Sequence, residues 1–303
     1  MICYLNHDDI NKTLWDECIA ASLNGNIYAW SWYLDIVHPG WDALVEMEHD
    51  KYLSVMPITK KKKYGINYLC QPFFVQQLGV FSTLPITQKT IFEYLHALPS
   101  KYRLVQIRLN EVNPIDASLK GVEIHHNHLL DLNKDYNTLS INYHENTNRN
   151  LKKSLKCNLE LIKDVSIEKV IALFRANRGA SVEHWGDEEY ERLSRLTETA
   201  INLSKAFVYG VKEIGNDEII CAALFMISHH RITFLFSGND PRGKETQAMT
   251  FMLDQVIREY ASQPMTLDFE GSDDMNLARF YQGFGSETVD YPGLNFRLFN
   301  PFK

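Results

Sequence analysis

The order of predicted helices and strands in the first half of the chain is repeated in the second half. Each half begins with two helical patterns, continues with strand-like runs joined by short polar turns, and then has a helix followed by strands. The polar, Asn-rich stretch 133–148 separates the two series and is the best candidate for a linker. Helices that cover a mainly antiparallel sheet define an α+β, or mixed α/β, class. We therefore expect two tandem domains of this class, at 1–134 and 135–303.

Length, charge and cysteine content exclude several classes of protein. The 303 residues exceed the usual length of one domain, and a net charge of −7 argues against a general DNA-binding or anionic-membrane surface. The five cysteines are scattered and never form a CxxC pair, which is typical of reduced cytoplasmic thiols. The N-terminus lacks the apolar core of a signal peptide, and no apolar run reaches membrane-helix length. We expect a cytoplasmic protein without membrane insertion.

The stretch "NLARFYQGFG" is the densest local pattern in the chain. On a helix that Asn276 opens, Asn276 and Phe280 lie one turn apart on the same face, and Tyr281 is adjacent. A tyrosine phenol has an ordinary pKa of about 10, so it is protonated at neutral pH and can act as a general acid. The alternative is that Phe280, Tyr281 and Phe284 are core aromatics at the glycine-capped end of a helix.

This helix resembles the signature of the GNAT N-acyltransferases, in which an Asn and a Tyr face the thioester and the Tyr protonates the departing thiolate. With "LDFEG" before it and the basic stretch "NTNRNLKKSLKCNLEL" upstream, the pattern is similar to the Fem-type and BioF-like branch. The resemblance implies two tandem GNAT-like domains, each a mainly antiparallel sheet flanked by helices. It also implies acyl-CoA, either acetyl-CoA or a longer thioester, as the co-substrate. Asn276 and Phe280 would then contact the donor, and Tyr281 would be catalytic.

The N-terminal half has no counterpart of this helix. The region 1–134 is therefore expected to be a degenerate GNAT-like domain, and the donor site is expected in 135–303.

Two acidic residues end the strand before the aromatic helix. Glu270 lies between Phe269 and Gly271, and Asp268 points the same way from the strand because side chains alternate along it. One of the two carboxylates could bind or deprotonate an amine acceptor, and we assign Glu270 to catalysis and Asp268 to substrate binding. The structural alternative is helix N-capping and solvation of the strand end by Asp273, Asp274 and their neighbours.

The connection after "FLFSGN" occupies the place where GNAT proteins bind a pyrophosphate. Its two cations and the helix that follows suit an anion, although the second glycine of the family loop is missing. A backbone N–H of the preceding strand could steady an oxyanion. A surface connection between a hairpin and a helix is the alternative. The donor contacts expected from strand and loop are Phe236, Ser237, Gly238, Arg242, Gly243 and Lys244.

The loop "RGASVEHW" lies between two predicted helices, where GNAT-like domains shape the acceptor pocket. His184 could serve as a base for the amine, and Trp185 could contact the substrate. A surface or packing role is the alternative for both.

The helix "RNLKKSLKC" places its cations on one face, represented here by Arg149 and Lys153. Such a face could bind an anionic substrate or carrier, such as a tRNA or an acyl carrier protein, or could simply be solvated.

Three histidines form the pattern His-His-x-His, at His125, His126 and His128. On a strand, His125 points to the opposite face from the other two, and no nearby cysteine or carboxylate pair completes a tetrahedral set. We expect no metal.

Three functions remain open at this point. The leading one is an N-acyltransferase that moves an acyl group from acyl-CoA or an acyl-carrier thioester to an amine. The second is a Fem-type transferase that depends on aminoacyl-tRNA. The third is a catalytically inactive GNAT-like binding protein, which the missing loop glycine favours.

Overall fold

The computed structural model describes residues 1–177, 185–271 and 273–297. It divides into two compact units. The first unit comprises Met1–His126 and Val289–Lys303, and the second comprises Asn127–Thr288. Because β8 and β14, defined below, run through the unit boundary, each contributes residues to both units. The assignment of 1–134 and 135–303 to separate GNAT-like domains stays a prediction.

The first unit contains two sheets. One sheet is antiparallel and has the strand order β1-β2-β3-β6. The other includes the antiparallel hairpin of β4 and β5. In this second sheet β5 is parallel to β7, and β7 is antiparallel to β14. Two short 3-10 turns, His7–Asp9 and Ile27–Ala29, precede its first two helices. The elements of this part of the chain are β1 Ile2–Leu5, α1 Lys12–Ala21, α2 Ser31–Val37, β2 Asp42–Glu48, β3 Lys51–Ile58, β4 Lys60–Lys63, β5 Ile66–Cys70, β6 Phe81–Ser82, α3 Gln88–His96, β7 Tyr102–Arg108 and β8 Val122–Asp131.

The second unit is built on the strand order β8-β13-β12-β11-β10-β9. All of its neighbouring strands are antiparallel except β12 and β13, which are parallel. The elements of this part of the chain are α4 Tyr136–Ile141, α5 Glu145–Ser154, β9 Leu159–Lys163, α6 Ile167–Ala176, α7 Asp187–Asn202, β10 Ala206–Glu213, β11 Ile219–Ser228, β12 Arg231–Asn239, α8 Pro241–Thr246, α9 Ala248–Tyr260, β13 Thr266–Asp268, α10 Met275–Gln282 and β14 Glu287–Arg297.

The predicted class is confirmed: the protein is α+β, and its sheets are mainly antiparallel. In the second unit, α9 is the central helix of the core, since eight of its thirteen residues are buried. No helix in the described part of the chain is both long enough and apolar enough to cross a bilayer.

The polar stretch 133–148 was expected to be a linker, and this prediction is wrong. Asp135 accepts hydrogen bonds from the backbone N–H groups of Asn137 and Thr138 and so caps α4. Leu139 and Tyr143 are buried in the core of the second unit. Leu139 of α4 and Tyr143, which follows the helix, are thus enough to dock this segment although most of its residues are polar.

Candidate active site

The two parallel strands of the second unit separate soon after they pair. Arg231–Thr233 of β12 pairs with Thr266–Asp268 of β13, and β13 then ends while β12 continues to Asn239. A cavity of about 700 Å³ is lined by the unaccompanied part of β12 and by the residues that follow β13. Its lining consists of Leu173, Phe174, Asn177, Trp185, Phe234, Leu235, Phe236, Ser237, Gly238, Asn239, Lys244, Met249, Phe269, Glu270, Leu277, Phe280 and Tyr281.

A β-bulge interrupts β12 at this cavity. In the pairing with β11, Leu224 faces Phe236 but Phe225 faces Phe234, so Leu235 is the extra residue. Along an antiparallel edge, alternate peptide groups point away from the partner strand. The pairing of β12 with β13 ends at Thr233, and the residues of β12 beyond it line the cavity.

Tyr281 reaches the cavity from α10. Its ring stacks on Phe269 at a centroid distance of 5.0 Å and meets Phe234 edge-on at 6.4 Å. Only 8% of the residue is exposed. Gly283 permits the close approach of this helix end to Thr147 of α5, because a Cβ at Gly283 would collide with the threonine hydroxyl. The aromatic packing therefore fixes the ring of Tyr281 at the cavity wall.

The first turn of α10 differs from the predicted start at Asn276 and agrees with the alternative of N-capping by Asp274. Asp274, rather than Asn276, caps the helix, since its carboxylate accepts from the N–H groups of Asn276 and Leu277 at 2.8 and 3.4 Å. Asn276 is exposed and is not among the cavity-lining residues, whereas Phe280 is.

Glu270 lines the cavity in an unusual backbone conformation. Its φ of 51° lies in the left-handed region, which is costly for a residue with a Cβ. The N–H of Glu270 donates to Oδ1 of Asp268 at 2.8 Å. Such local strain clusters at functional sites.

Asp268 supports this turn and lies outside the cavity lining. It is 1% exposed, and Arg231 donates to its Oδ2 at 3.0 Å. The structure thus places the predicted substrate-binding carboxylate outside the cavity lining, in an ion pair with the partly buried Arg231.

Three aromatic rings form a second wall of the cavity, which we call the ring wall: Phe174, Trp185 and Phe236. The ring centroid of Phe236 is 4.5 Å from that of Phe174 and 5.7 Å from that of Trp185. The ring planes of Phe236 and Trp185 differ by only 13°. Phe174 and Trp185 remain partly exposed. Sequence reasoning found Trp185 and Phe236 but missed Phe174.

Gly238 brings α6 against β12 beneath the ring wall. A Cβ at this position would lie 2.6 Å from both Cβ of Leu173 and the backbone nitrogen of Phe174. Real Cβ atoms do not approach so closely, so the glycine is required by this packing.

The three predicted donor residues in the loop after β12 lie in different surroundings. Arg242 is exposed and is held by Glu213 at 2.6 Å and Glu245 at 2.8 Å. Gly243 packs against the backbone carbonyl of Ile220. Lys244 lines the cavity, and its ammonium donates to Oδ1 of Asn177 at 3.1 Å.

The start of α9 adds a feature that sequence reasoning missed. Gln247 has φ 62°, and its side chain does not cap the helix. The first-turn N–H groups are therefore not satisfied by a capping side chain, and they carry the positive end of the helix dipole. A depression of about 300 Å³ here shares four lining residues with the main cavity: Asn239, Lys244, Met249 and Phe280. Within the described residues, Oδ1 of Asn239 is buried without a hydrogen-bond partner.

The remaining predicted residues lie elsewhere. Arg149 and Lys153 are on α5 and do not line the cavity, and Arg149 hydrogen-bonds Asn146. His184 falls outside the described residues.

The histidines of the His-His-x-His pattern are held by other groups in the structure. His126 pairs with Asp290 at 2.7 Å, and His125 stacks on Tyr291. Across the described ranges, no cluster of three or more His, Cys, Asp or Glu side chains is arranged to bind a metal.

No family model matches the sequence, and no curated protein matches it either. Several solved structures nevertheless share the fold. FemX superposes with a TM-score of 0.67 at 10% identity, over 94% of this chain and 96% of FemX. A tandem GNAT protein from the clavulanic acid biosynthesis pathway gives 0.51 at 11% identity, over 97% of this chain and 98% of its own. A conserved protein of unknown function from Bacteroides thetaiotaomicron gives 0.55 at 11% identity, over 97% and 100%.

The fold is the tandem GNAT-like fold. This confirms the predicted resemblance at the level of the fold, while the assignment to the Fem-type and BioF-like branch stays a prediction. At 10 or 11% identity the likeness concerns the fold alone, so an activity has to be argued from the cavity.

Proposed function

We propose that this protein is an N-acyltransferase that moves an acyl group from an acyl-CoA or an acyl-carrier thioester to an amine. One observation carries the proposal: a cavity opens where β12 continues beyond β13, and both Tyr281 and Glu270 line it. The residue types suit the reaction, since one can give a proton to a leaving group and the other can accept one.

Tyr281 is proposed as the general acid. The amine nitrogen attacks the thioester carbonyl, the C–N bond forms, and the C–S bond breaks as the tetrahedral intermediate collapses. The sulfur leaves as a thiolate and takes the phenolic proton of Tyr281. Burial of the ring between Phe269 and Phe234 supports this role, because it restricts the ring to one position.

Glu270 is proposed to accept the proton that the amine nitrogen loses. Its carboxylate is part of the cavity lining, and its strained backbone is held by Asp268. His184, which lies outside the described residues, stays a second candidate for this base. Trp185 would contact the acceptor, while Asp268 would act by supporting the turn.

The donor is proposed to lie along β12. Peptide groups of Phe236, Ser237 and Gly238 would hold the thioester arm and the oxyanion, and Phe280 would pack against the arm. The buried Oδ1 of Asn239 supports this arrangement because an amide N–H of the arm would satisfy it.

The anionic end of the donor is proposed to meet the loop and the start of α9. Lys244 supplies a cation there, and Gly243 allows the tight packing of the loop. Arg242 would contribute only if it left Glu213 and Glu245, and Asn276 would contribute only from the exposed start of α10.

A Fem-type transfer from aminoacyl-tRNA is the second candidate. It is favoured by the fold shared with FemX and by the cations of α5. Arg149 and Lys153 would then bind nucleic-acid phosphates, so donor binding would weaken steeply with salt. An inactive binding protein is the third candidate.

A binding and turnover screen separates these candidates. Acetyl-CoA, longer acyl-CoAs, an acylated carrier protein and aminoacyl-tRNA would be tested by thermal shift, and thiol release would be followed with an amine panel. We expect a thioester to stabilise the protein and to be turned over, and Tyr281→Phe to lower the turnover rate constant by about 10²-fold or more while the donor still binds. Stabilisation by aminoacyl-tRNA alone would favour the second candidate. Thioester binding without turnover by the wild type would favour the third.

A further inference from the structure

The aromatic side chains of the ring wall are distinct from the two side chains to which proton transfer is assigned. The reacting groups, Tyr281 and Glu270, lie on α10 and after β13. Phe174 comes from α6 and Trp185 precedes α7, so neither belongs to the elements that carry those groups. Their rings nevertheless line the same cavity, together with Phe236 of β12.

The geometry of the ring wall suits a flat ligand. Trp185 and Phe236 stack on one another, with centroids 5.7 Å apart and planes that differ by 13°, so together they form one continuous apolar surface along the cavity. Phe174 lies against both, at 5.3 and 4.5 Å between centroids. Aromatic side chains bind flat apolar groups by offset or edge-on contact over a large area.

The charge of the cavity argues against a strongly charged ligand at this wall. Among the described lining residues, Lys244 and Glu270 are the only charged side chains. Lys244 is held by Asn177, and Glu270 is assigned above to the amine proton. An anionic or sugar-like substrate body would therefore lose its hydration against the rings without gaining polar partners there.

We propose that the ring wall is the specificity element of the cavity and that it binds a flat apolar group, such as a phenyl ring, carried by one of the two substrates. This inference rests on the proposed acyl transfer and names the class of substrate that the site selects. The flat group is either the body of the amine or the acyl chain of the donor. A bare acetyl group on a small polar amine leaves the ring wall without a ligand.

Two matched ligand pairs test this inference without any turnover. One arm compares 2-phenylethylamine with ethylamine in the absence of a donor, and the other compares phenylacetyl-CoA with acetyl-CoA in the absence of an acceptor. Dissociation constants are measured by calorimetry or ligand-observed NMR on the wild type, Trp185→Ala, Trp185→Phe and Trp32→Ala. Trp32 is a partly buried tryptophan of the other unit and serves as the control.

We expect the phenyl member to bind on the order of 10-fold tighter in one of the two arms. That arm identifies which substrate carries the flat group. Trp185→Ala should abolish the preference, while Trp185→Phe and Trp32→Ala should retain it.

The inference is overturned if neither arm shows a preference for the phenyl member, or if the preference survives in Trp185→Ala. These outcomes are distinct from a failure of the proposed function. If acetyl-CoA binds without any phenyl preference, acyl transfer stands and the ring wall has no selective role. If no thioester binds while the amine preference depends on Trp185, acyl transfer fails and the aromatic binding site stands.

Discussion

Glu270 combines a cavity-lining carboxylate with a backbone that a glycine would adopt more easily. Its φ of 51° is maintained by the hydrogen bond from its N–H to Asp268, and Asp268 is in turn held by Arg231. Twelve of the described non-glycine residues have a positive φ, and Glu270 is the one among them that lines the main cavity. Its position in the cavity wall, rather than its backbone conformation alone, favours a role for the carboxylate.

The strain at Glu270 can be measured by comparing two variants that both lack the carboxylate. Glu270→Gly should be more stable than Glu270→Ala by about 1 kcal/mol, because only the alanine Cβ is disfavoured in the left-handed region. Urea unfolding of both proteins checks the difference. Both variants should lose acyl transfer to a similar degree. Equal stabilities would mean that the backbone relaxes freely and that the strain argument does not hold.

Several site residues could be predicted from sequence, and others could not, for a physical reason. Phe280 and Tyr281 were found because helical periodicity is a local signal. The ion pair of Asp268 with Arg231 joins residues 37 positions apart, and that of Arg242 with Glu213 joins residues 29 apart. Such pairs depend on strand register and loop geometry, which a single sequence does not specify.

At the scale of elements, the contact between α6 and β12 sets the shape of the cavity. Gly238 lets Leu173 and Phe174 approach the strand, and Phe174 then contributes to the ring wall. Phe174 could not be predicted for the site, because a phenylalanine on an amphipathic helix is equally consistent with simple core packing.

Replacement of Gly238 by alanine should disrupt this contact. The new Cβ would lie 2.6 Å from Leu173 and Phe174, so α6 would have to move. We expect a loss of about 1–3 kcal/mol in unfolding free energy, measured by urea denaturation. Ser237→Ala on the same strand is the control and should change stability much less. An unchanged stability in Gly238→Ala would show that α6 does not pack tightly on β12.

Within α9, Asp254 is a buried acid held by tyrosines of the neighbouring segment. Tyr136 and Tyr143 donate to its Oδ1 at 2.7 and 3.1 Å. Burial raises the pKa of Asp254, and this effect outweighs the opposite influence of the tyrosine hydrogen bonds and of Arg258. The folded protein therefore holds this proton more tightly than the unfolded chain does.

The raised pKa of Asp254 gives a pH dependence of known sign. Its contribution to stability is full below the unfolded pKa of about 3.9 and is lost as the pH rises through the higher folded pKa. Asparagine cannot ionise but can accept the same tyrosine hydrogen bonds. The stability of Asp254→Asn relative to the wild type should therefore rise as the pH increases through this window. Urea unfolding at a series of pH values checks this, and a flat or falling difference would contradict it.

At the scale of the whole molecule, the repeated order of helices and strands predicted the fold class better than it predicted the connections. The α+β class and the mainly antiparallel sheets followed from periodicity, and the fold shared with FemX and the tandem GNAT protein agrees with them. The stretch 133–148 was mistaken for a linker because its buried residues are few, although Leu139 and Tyr143 are enough to dock it. Composition alone therefore does not reveal that a short polar helix packs against the core.

The central claim is that the acyl donor binds in the cavity lined by the end of β12 and by the residues that follow β13. The most direct test is photo-crosslinking with an acyl-CoA that carries a diazirine in its acyl chain, followed by mass-spectrometric mapping and competition with unmodified acyl-CoA. We predict competable crosslinks in peptides that contain Phe234–Asn239 or Phe269–Tyr281, which line the cavity. Competable labelling confined to residues 1–126, or no competable labelling, would contradict the account.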